Sequence, residues 1–68
     1  MQTSYEYFKN GGAKEMPYEK LPDGYGWLTG CGGNDGWYYN FFALDKDLIP
    51  GVEIDPSKVI MCKIKKLL

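Results

Sequence analysis

Residues 25–42 read YGWLTGCGGNDGWYYNFF, and the fold turns on how they are read. Six of the nine glycines lie between Gly24 and Gly36, and seven of the eleven aromatic residues lie between Tyr25 and Phe42. Trp37-Tyr38-Tyr39-Asn40-Phe41-Phe42 has strong strand propensity, because flat, bulky side chains pack well on a pleated surface. Asn34, Asp35 and Gly36 tolerate the positive φ that tight hairpin turns require. The stretch therefore predicts a β-hairpin with its loop at Gly32–Gly36. In that register Cys31 faces Trp37, Thr29 faces Tyr39, Trp27 faces Phe41 and Tyr25 faces Ala43. On the other side Gly30 lies opposite Tyr38 and Gly26 opposite Phe42. An aromatic ring folded over a cross-strand glycine covers bare backbone, which favours this register over a two-residue Asp35-Gly36 loop.

Both faces of such a hairpin carry aromatic rings, whereas a small sheet usually has one wet face. One reading makes the rings the core of a small domain. The other makes one aromatic face a contact surface, since Tyr and Trp are enriched at interface hot spots. The two can hold together, one on each face.

Outward from the hairpin, Gln2–Lys9 alternates, with Thr3, Tyr5 and Tyr7 on one side and Ser4, Glu6 and Phe8 on the other, and reads as a first strand. Asn10-Gly11-Gly12 is a turn signal. Ala13–Tyr18 reads as a short edge strand or extended loop, because Pro17 lacks a backbone donor and restricts Met16. Leu21-Pro22-Asp23-Gly24 is a β-turn. Beyond the hairpin, Ala43–Pro50 leaves the sheet. Leu48–Asp55 is expected to cross over and plug one end with Leu48, Ile49, Val52 and Ile54, with Val52-Glu53-Ile54 as a short strand.

Asp55-Pro56-Ser57 permits two continuations. It can cap a C-terminal helix with Ile60, Ile64, Leu67 and Leu68 as its apolar stripe. It can equally lead into a strand, in which Ile60, Cys62 and Ile64 alternate with Lys63 and Lys65; the β-branched run favours the strand. The fold class is thus all-β or β-rich α+β. It is a small antiparallel sheet or SH3-like barrel of four to five strands around the hairpin at 25–43, with a short C-terminal helix as the alternative for 58–68.

A chain of 68 residues makes one domain. At that size only about 60% of the unfolded surface is buried, so oligomerisation or a partner is one route to added stability, and a homo-oligomer is among the arrangements considered. The 44% hydrophobic content argues against disorder. No stretch approaches membrane-spanning length and no signal-type apolar run precedes the domain, which points to a cytoplasmic protein without membrane contact. Cys31 and Cys62 are then expected as two buried thiols rather than a disulfide.

The sequence contains neither histidine nor arginine. That removes the commonest general base and metal ligand, and the usual bidentate reader of phosphate and guanine. The glycine run 30–36 lacks the spacing and the following helix of a phosphate loop. Two distant cysteines cannot form a structural zinc site, and Asp45 and Asp47 lack an EF-hand pattern. No cofactor, no metal and no enzymatic activity are expected.

What remains is a non-catalytic protein-binding module. Trp27, Asn34, Asp35, Trp37, Tyr38 and Tyr39 are its candidate contacts. By analogy of size and style, a small chain starting at Met1 suggests an accessory protein. Phage-encoded inhibitors or adaptors that act on a host protein or defence complex are of this kind. The alternative is a small β-barrel that binds single-stranded nucleic acid through stacked rings and a lysine track at Lys63, Lys65 and Lys66. The charge is skewed towards that end. Residues 1–57 carry four lysines and nine acids (−5), and residues 58–68 carry four lysines and no acid (+4). An exposed aromatic face could also take a sugar.

Overall fold

The computed structural model describes residues 4–67, and within them the sequence builds a four-stranded mixed sheet with one short helix. In chain order the elements are α1 (Ser4–Asn10), β1 (Lys14–Glu15), β2 (Tyr25–Gly32), β3 (Trp37–Leu44) and β4 (Ile60–Lys65). The strand order is β1-β4-β3-β2, with β1 parallel to β4 and the other pairs antiparallel. The small β-rich domain read from sequence is what forms, as an open sheet with β2 and β1 at its edges.

The hairpin β2–β3 forms where it was expected, but with a tighter loop. The Gly33 amide donates to the Trp37 carbonyl at 2.9 Å, closing a three-residue loop of Asn34, Asp35 and Gly36. Gly36 supplies the left-handed residue (φ 88) that such a loop needs. The register therefore differs by two residues from the one read above: Cys31 faces Tyr39, Thr29 faces Phe41, Gly30 faces Asn40 and Gly32 faces Tyr38. Tyr38 does fold over a glycine, but over Gly32 rather than Gly30, with its ring edge 3.5 Å from where a Gly32 Cβ would stand. A β-bulge between Trp27 and Thr29 then shifts the register by one. Trp27 ends opposite Phe42, Gly26 opposite Ala43 and Tyr25 opposite Leu44.

The expected first strand at Gln2–Lys9 is a helix over its described part. Gln2 and Thr3 lie outside the described residues; Ser4–Asn10 is helical. Three aromatics followed by glycines suit either structure locally, and the glycines decide it. Gly12 takes a left-handed φ of 89, and the Ala13 amide reaches back to the Phe8 carbonyl at 3.0 Å, a Schellman-type stop. A helix of seven residues cannot hold itself together in water. Docking holds it: the Phe8 ring lies 5.3 Å from that of Phe41 on β3.

The sheet has a layer on each face. On the α1 face, Phe8, Tyr39, Phe41, Val59 and Met61 form one cluster, with Leu28, Cys31, Trp37 and Ile54 against it. On the other face, Phe42, Ile60 and Cys62 pack under Met16, Leu21 and Tyr25, and Tyr18 tilts over Phe42 at 6.0 Å. β1 is the short edge strand expected around Pro17, tied to β4 by the Lys14 and Met16 amides at 3.1 and 3.0 Å.

The chain leaves the sheet at Asp45 rather than at Ala43, because Ala43 and Leu44 still pair with Gly26 and Tyr25 in the hairpin, and residues 52–54 are not a strand. Leu48 and Ile54 turn inward, while Ile49 and Val52 stay more than half exposed. Pro50-Gly51 takes a turn there with Gly51 at φ 78, which directs the loop outward. Asp55 caps a single 3-10 turn, its carboxylate accepting the Ser57 amide at 3.0 Å, and the chain then enters β4 rather than a helix.

Candidate functional site

β3 and β4 are buried over one half of their length and open over the other. Ile60, Met61 and Cys62 are buried, whereas Lys63, Ile64 and Lys65 are exposed. On β3 the burial runs through Tyr39 and Phe41–Ala43, and Trp37 and Tyr38 lie beyond it. The segment 16–21 is long enough to cover only the Phe42–Ile60 end of its face. The rest of that face is bare. Its floor is Gly30 and Gly32, flanked by Trp27, Tyr38, Asn40 and Ile64.

The exposed side chains of this patch are held rather than free. Trp27 is 61% exposed, yet its indole Nε1 donates to the Asn40 Oδ1 at 3.3 Å. Tyr38 is 51% exposed and carries the Lys66 ammonium 5.1 Å above its ring. That ammonium also donates to the Gly33 carbonyl at 2.6 Å. Ile64, 44% exposed, faces Tyr38 across the β3–β4 ladder. Rings fixed in this way lose little freedom on contact with a partner, which is how preorganised surfaces gain affinity.

Of the candidate contacts, Trp27 and Tyr38 share this patch. Asn34 and Asp35 are exposed in the hairpin loop. Trp37 sits on the α1 face, half-buried, with the Lys63 and Lys65 ammonium groups 5.1 and 4.9 Å from its ring. Tyr39 is 5% exposed and belongs to the core; its hydroxyl donates to the Asp35 carboxylate and its ring presents no surface. That bond holds the Asp35 carboxyl below the usual aspartate range.

Lys63, Lys65 and Lys66 do not share a face. Lys63 and Lys65 stack on Trp37 on the α1 side, where Lys63 also pairs with Glu15 at 3.1 Å, and Lys66 lies over Tyr38 on the opposite side. Sequence reading did not place Gly32, Asn40 or Ile64 in a site; it had Gly30 only as the glycine beneath Tyr38 and Lys66 only as part of a lysine track, not as a clamp. The alternation of Ile60, Cys62 and Ile64 made all three look inward, and only the length of the covering segment separates them.

Cys31 and Cys62 are free, on β2 and β4 with β3 between them. Their register partners on β3, Tyr39 and Asn40, point to opposite faces, so no intrachain disulfide can join them. Cys62 is buried as expected, while Cys31 is half-buried, and desolvation raises the pKa of both thiols. Among the described residues no three His, Cys, Asp or Glu side chains are grouped to hold a metal, and no helix is long and apolar enough to cross a membrane.

Shallow grooves flank the sheet among the described residues. One, of about 270 Å³, runs beside Trp27 and Leu28 and is walled by Leu48, Ile49, Pro50 and Val52. Another, of about 380 Å³, has Lys14, Lys46 and Lys58 around Met16, Tyr25 and Ile60. Comparison with protein-family models, curated proteins and solved structures finds no match.

Proposed function

We propose that this chain is a non-catalytic protein-binding module, an inhibitor or adaptor in form, whose contact surface is the open half of the sheet. The observation that carries this reading is the glycine-floored patch of Trp27, Tyr38 and Ile64. It exposes large apolar side chains that hydrogen bonds and a lysine clamp already hold in place. Fixed aromatic anchors with a polar rim are the usual composition of an interface hot spot. Asn34, Asp35 and Lys66 supply that rim.

The test uses immobilised wild-type chain and the Tyr38→Ala/Ile64→Ala variant in nuclease-treated lysate, read by mass spectrometry. A stoichiometric protein held by the wild type and lost from the variant supports the module. Equal capture by both moves the contact elsewhere on the molecule.

The single-stranded nucleic-acid reading keeps one observation in its favour, the Lys66 ammonium beside the exposed Tyr38 ring. Under that reading, changing Lys63, Lys65 and Lys66 to Gln weakens oligonucleotide binding and flattens its salt slope. Binding that is unaffected by these changes removes the nucleic-acid reading.

A further inference from the structure

The edge strand β2 carries an unusual pattern. Its outer edge pairs with no other strand among the described residues. The ladder fixes which of its backbone groups point outward. The Gly33 amide bonds the Trp37 carbonyl at one end, and the Gly24 carbonyl accepts the Asp45 amide at the other, both at 2.9 Å. Hydrogen-bonded pairs alternate along an antiparallel ladder. Cys31 and Thr29 therefore turn their amides and carbonyls towards β3 from one end, and Gly26 and Leu28 do so from the other. The bulge lies where the two alternations meet, with Leu28 and Thr29 both opposite Phe41. The groups left facing outward belong to Tyr25, Trp27, Gly30 and Gly32.

This outward set is symmetric about the midpoint between Leu28 and Thr29. Turned end for end, Tyr25 falls opposite Gly32, Trp27 opposite Gly30, Gly26 opposite Cys31 and Leu28 opposite Thr29. The faces match as well. Tyr25, Trp27, Gly30 and Gly32 lie on the face of Tyr38 and Phe42, and the other four on the α1 face. Within one chain Gly32 already lies beside the Tyr38 ring and Gly30 beside the Trp27 indole, so the seam would join the two backbones without moving either ring.

We propose that β2 is the seam of a two-fold homodimer, in which a second copy of this chain adds its own β2 antiparallel and makes one continuous sheet. Two observations select a second copy over any other strand. The bulge puts two residues, Leu28 and Thr29, between the outward groups of Trp27 and Gly30, where a regular strand has one, so a regular strand falls out of step. A copy of β2 carries the same interval at the same place. In addition, Tyr25–Gly32 contains no charged residue and no proline, so the strand lacks the usual charge defences of an exposed edge and does not repel itself. Trp27, Ile49 and Val52, each more than half exposed, border this edge and its groove, and the seam would cover them. The dimer would also bring two copies of the open patch onto one face.

The test uses the full chain alone, so its outcome does not depend on finding a protein partner. Sedimentation equilibrium across a concentration series is combined with residue-resolved amide exchange. The expected result is a discrete monomer–dimer equilibrium. The Tyr25, Trp27, Gly30 and Gly32 amides, fast at low concentration, become protected as the dimer fills. Trp27→Lys places like charges about the two-fold and is expected to raise the dimer dissociation constant at least about tenfold. Gly32→Pro deletes one outward amide without altering a ladder bond and weakens the dimer in the same direction, which keeps the test open should Trp27→Lys fail to fold. A monomer at every concentration, a dimer whose four outward amides remain fast, or a dimer indifferent to both variants overturns the proposal.

Discussion

β4 contrasts two halves of one strand. Ile60, Met61 and Cys62 are buried on both faces, and Lys63, Ile64 and Lys65 are exposed on both. On the β3 side the ladder is continuous, with Phe42, Phe41 and Asn40 opposite the first three and Tyr39, Tyr38 and Trp37 opposite the last three, while on the other side β1 pairs only with Ile60 and Met61. The difference lies in that short second partner and in what is stacked above and below. α1 covers one face near Phe41, and residues 16–21 cover the other near Phe42. Neither layer extends across the hairpin-loop end. Stability is therefore concentrated at one end of the sheet, and surface for contacts is left at the other. A chain of this length has too few residues to close both ends.

This contrast can be broken most directly at Phe41, which is fully buried beneath α1. Phe41→Ala is expected to cost about 3–5 kcal/mol in urea unfolding and to release the helix with it. Tyr38→Ala, at the open end, is expected to change stability by less than about 1 kcal/mol. Equal costs at the two positions would erase the distinction between the halves.

Trp37 tests the boundary. It is half-buried against the core cluster and stacked by Lys63 and Lys65. Reading Trp37 as core would assign Trp37→Ala the same loss as Phe41. Its position between the halves predicts an intermediate loss of about 2 kcal/mol, with Lys63→Gln/Lys65→Gln costing only about a quarter of that, because it removes the cation–π contacts and leaves the ring packed. A Trp37→Ala protein that fails to fold would move Trp37 into the closed half.

The smallest effect concerns the hairpin loop. The Tyr39 hydroxyl lowers the Asp35 pKa in the folded chain. A group with a depressed folded pKa contributes stability above its unfolded value, about 3.9 for aspartate, and loses it as pH falls through the folded value. Asp55, lowered chiefly by the Ser57 amide, acts in the same direction. Stability should therefore decline on acidification below about pH 4. Asp35→Asn should flatten that decline without abolishing it, read as the urea midpoint against pH. A slope that does not change in Asp35→Asn would show that the Tyr39–Asp35 bond is not kept in solution.

The hairpin was legible because its signals are local: strand-forming rings on one arm and Asn34-Asp35-Gly36 at the turn. The first half of β4 was legible for a similar reason, since Val59-Ile60-Met61-Cys62 is a continuous apolar run, as expected of a strand buried on both faces. Trp27 and Tyr38 were found as contact candidates from their residue type. Tyr39 was grouped with them on the same ground, although its place in the alternation sends it to the core. The register was misread by two residues, because a five-residue loop and a three-residue loop are compatible with the same glycines.

The sequence by itself determined the hairpin and the absence of histidine and arginine chemistry, since each follows from residue type or from preferences spanning a few neighbours, and it favoured a strand at 58–68 while leaving a capped helix open there. Only the tertiary structure decided that Ser4–Asn10 is a helix, that a bulge at Leu28 turns Trp27 out of the core, and that the Tyr38–Ile64 end stays open. Those outcomes depend on which distant segment lies over which part of the sheet. A seven-residue helix exists because Phe41 lies beneath it, and Ile64 is exposed because residues 16–21 end before reaching it.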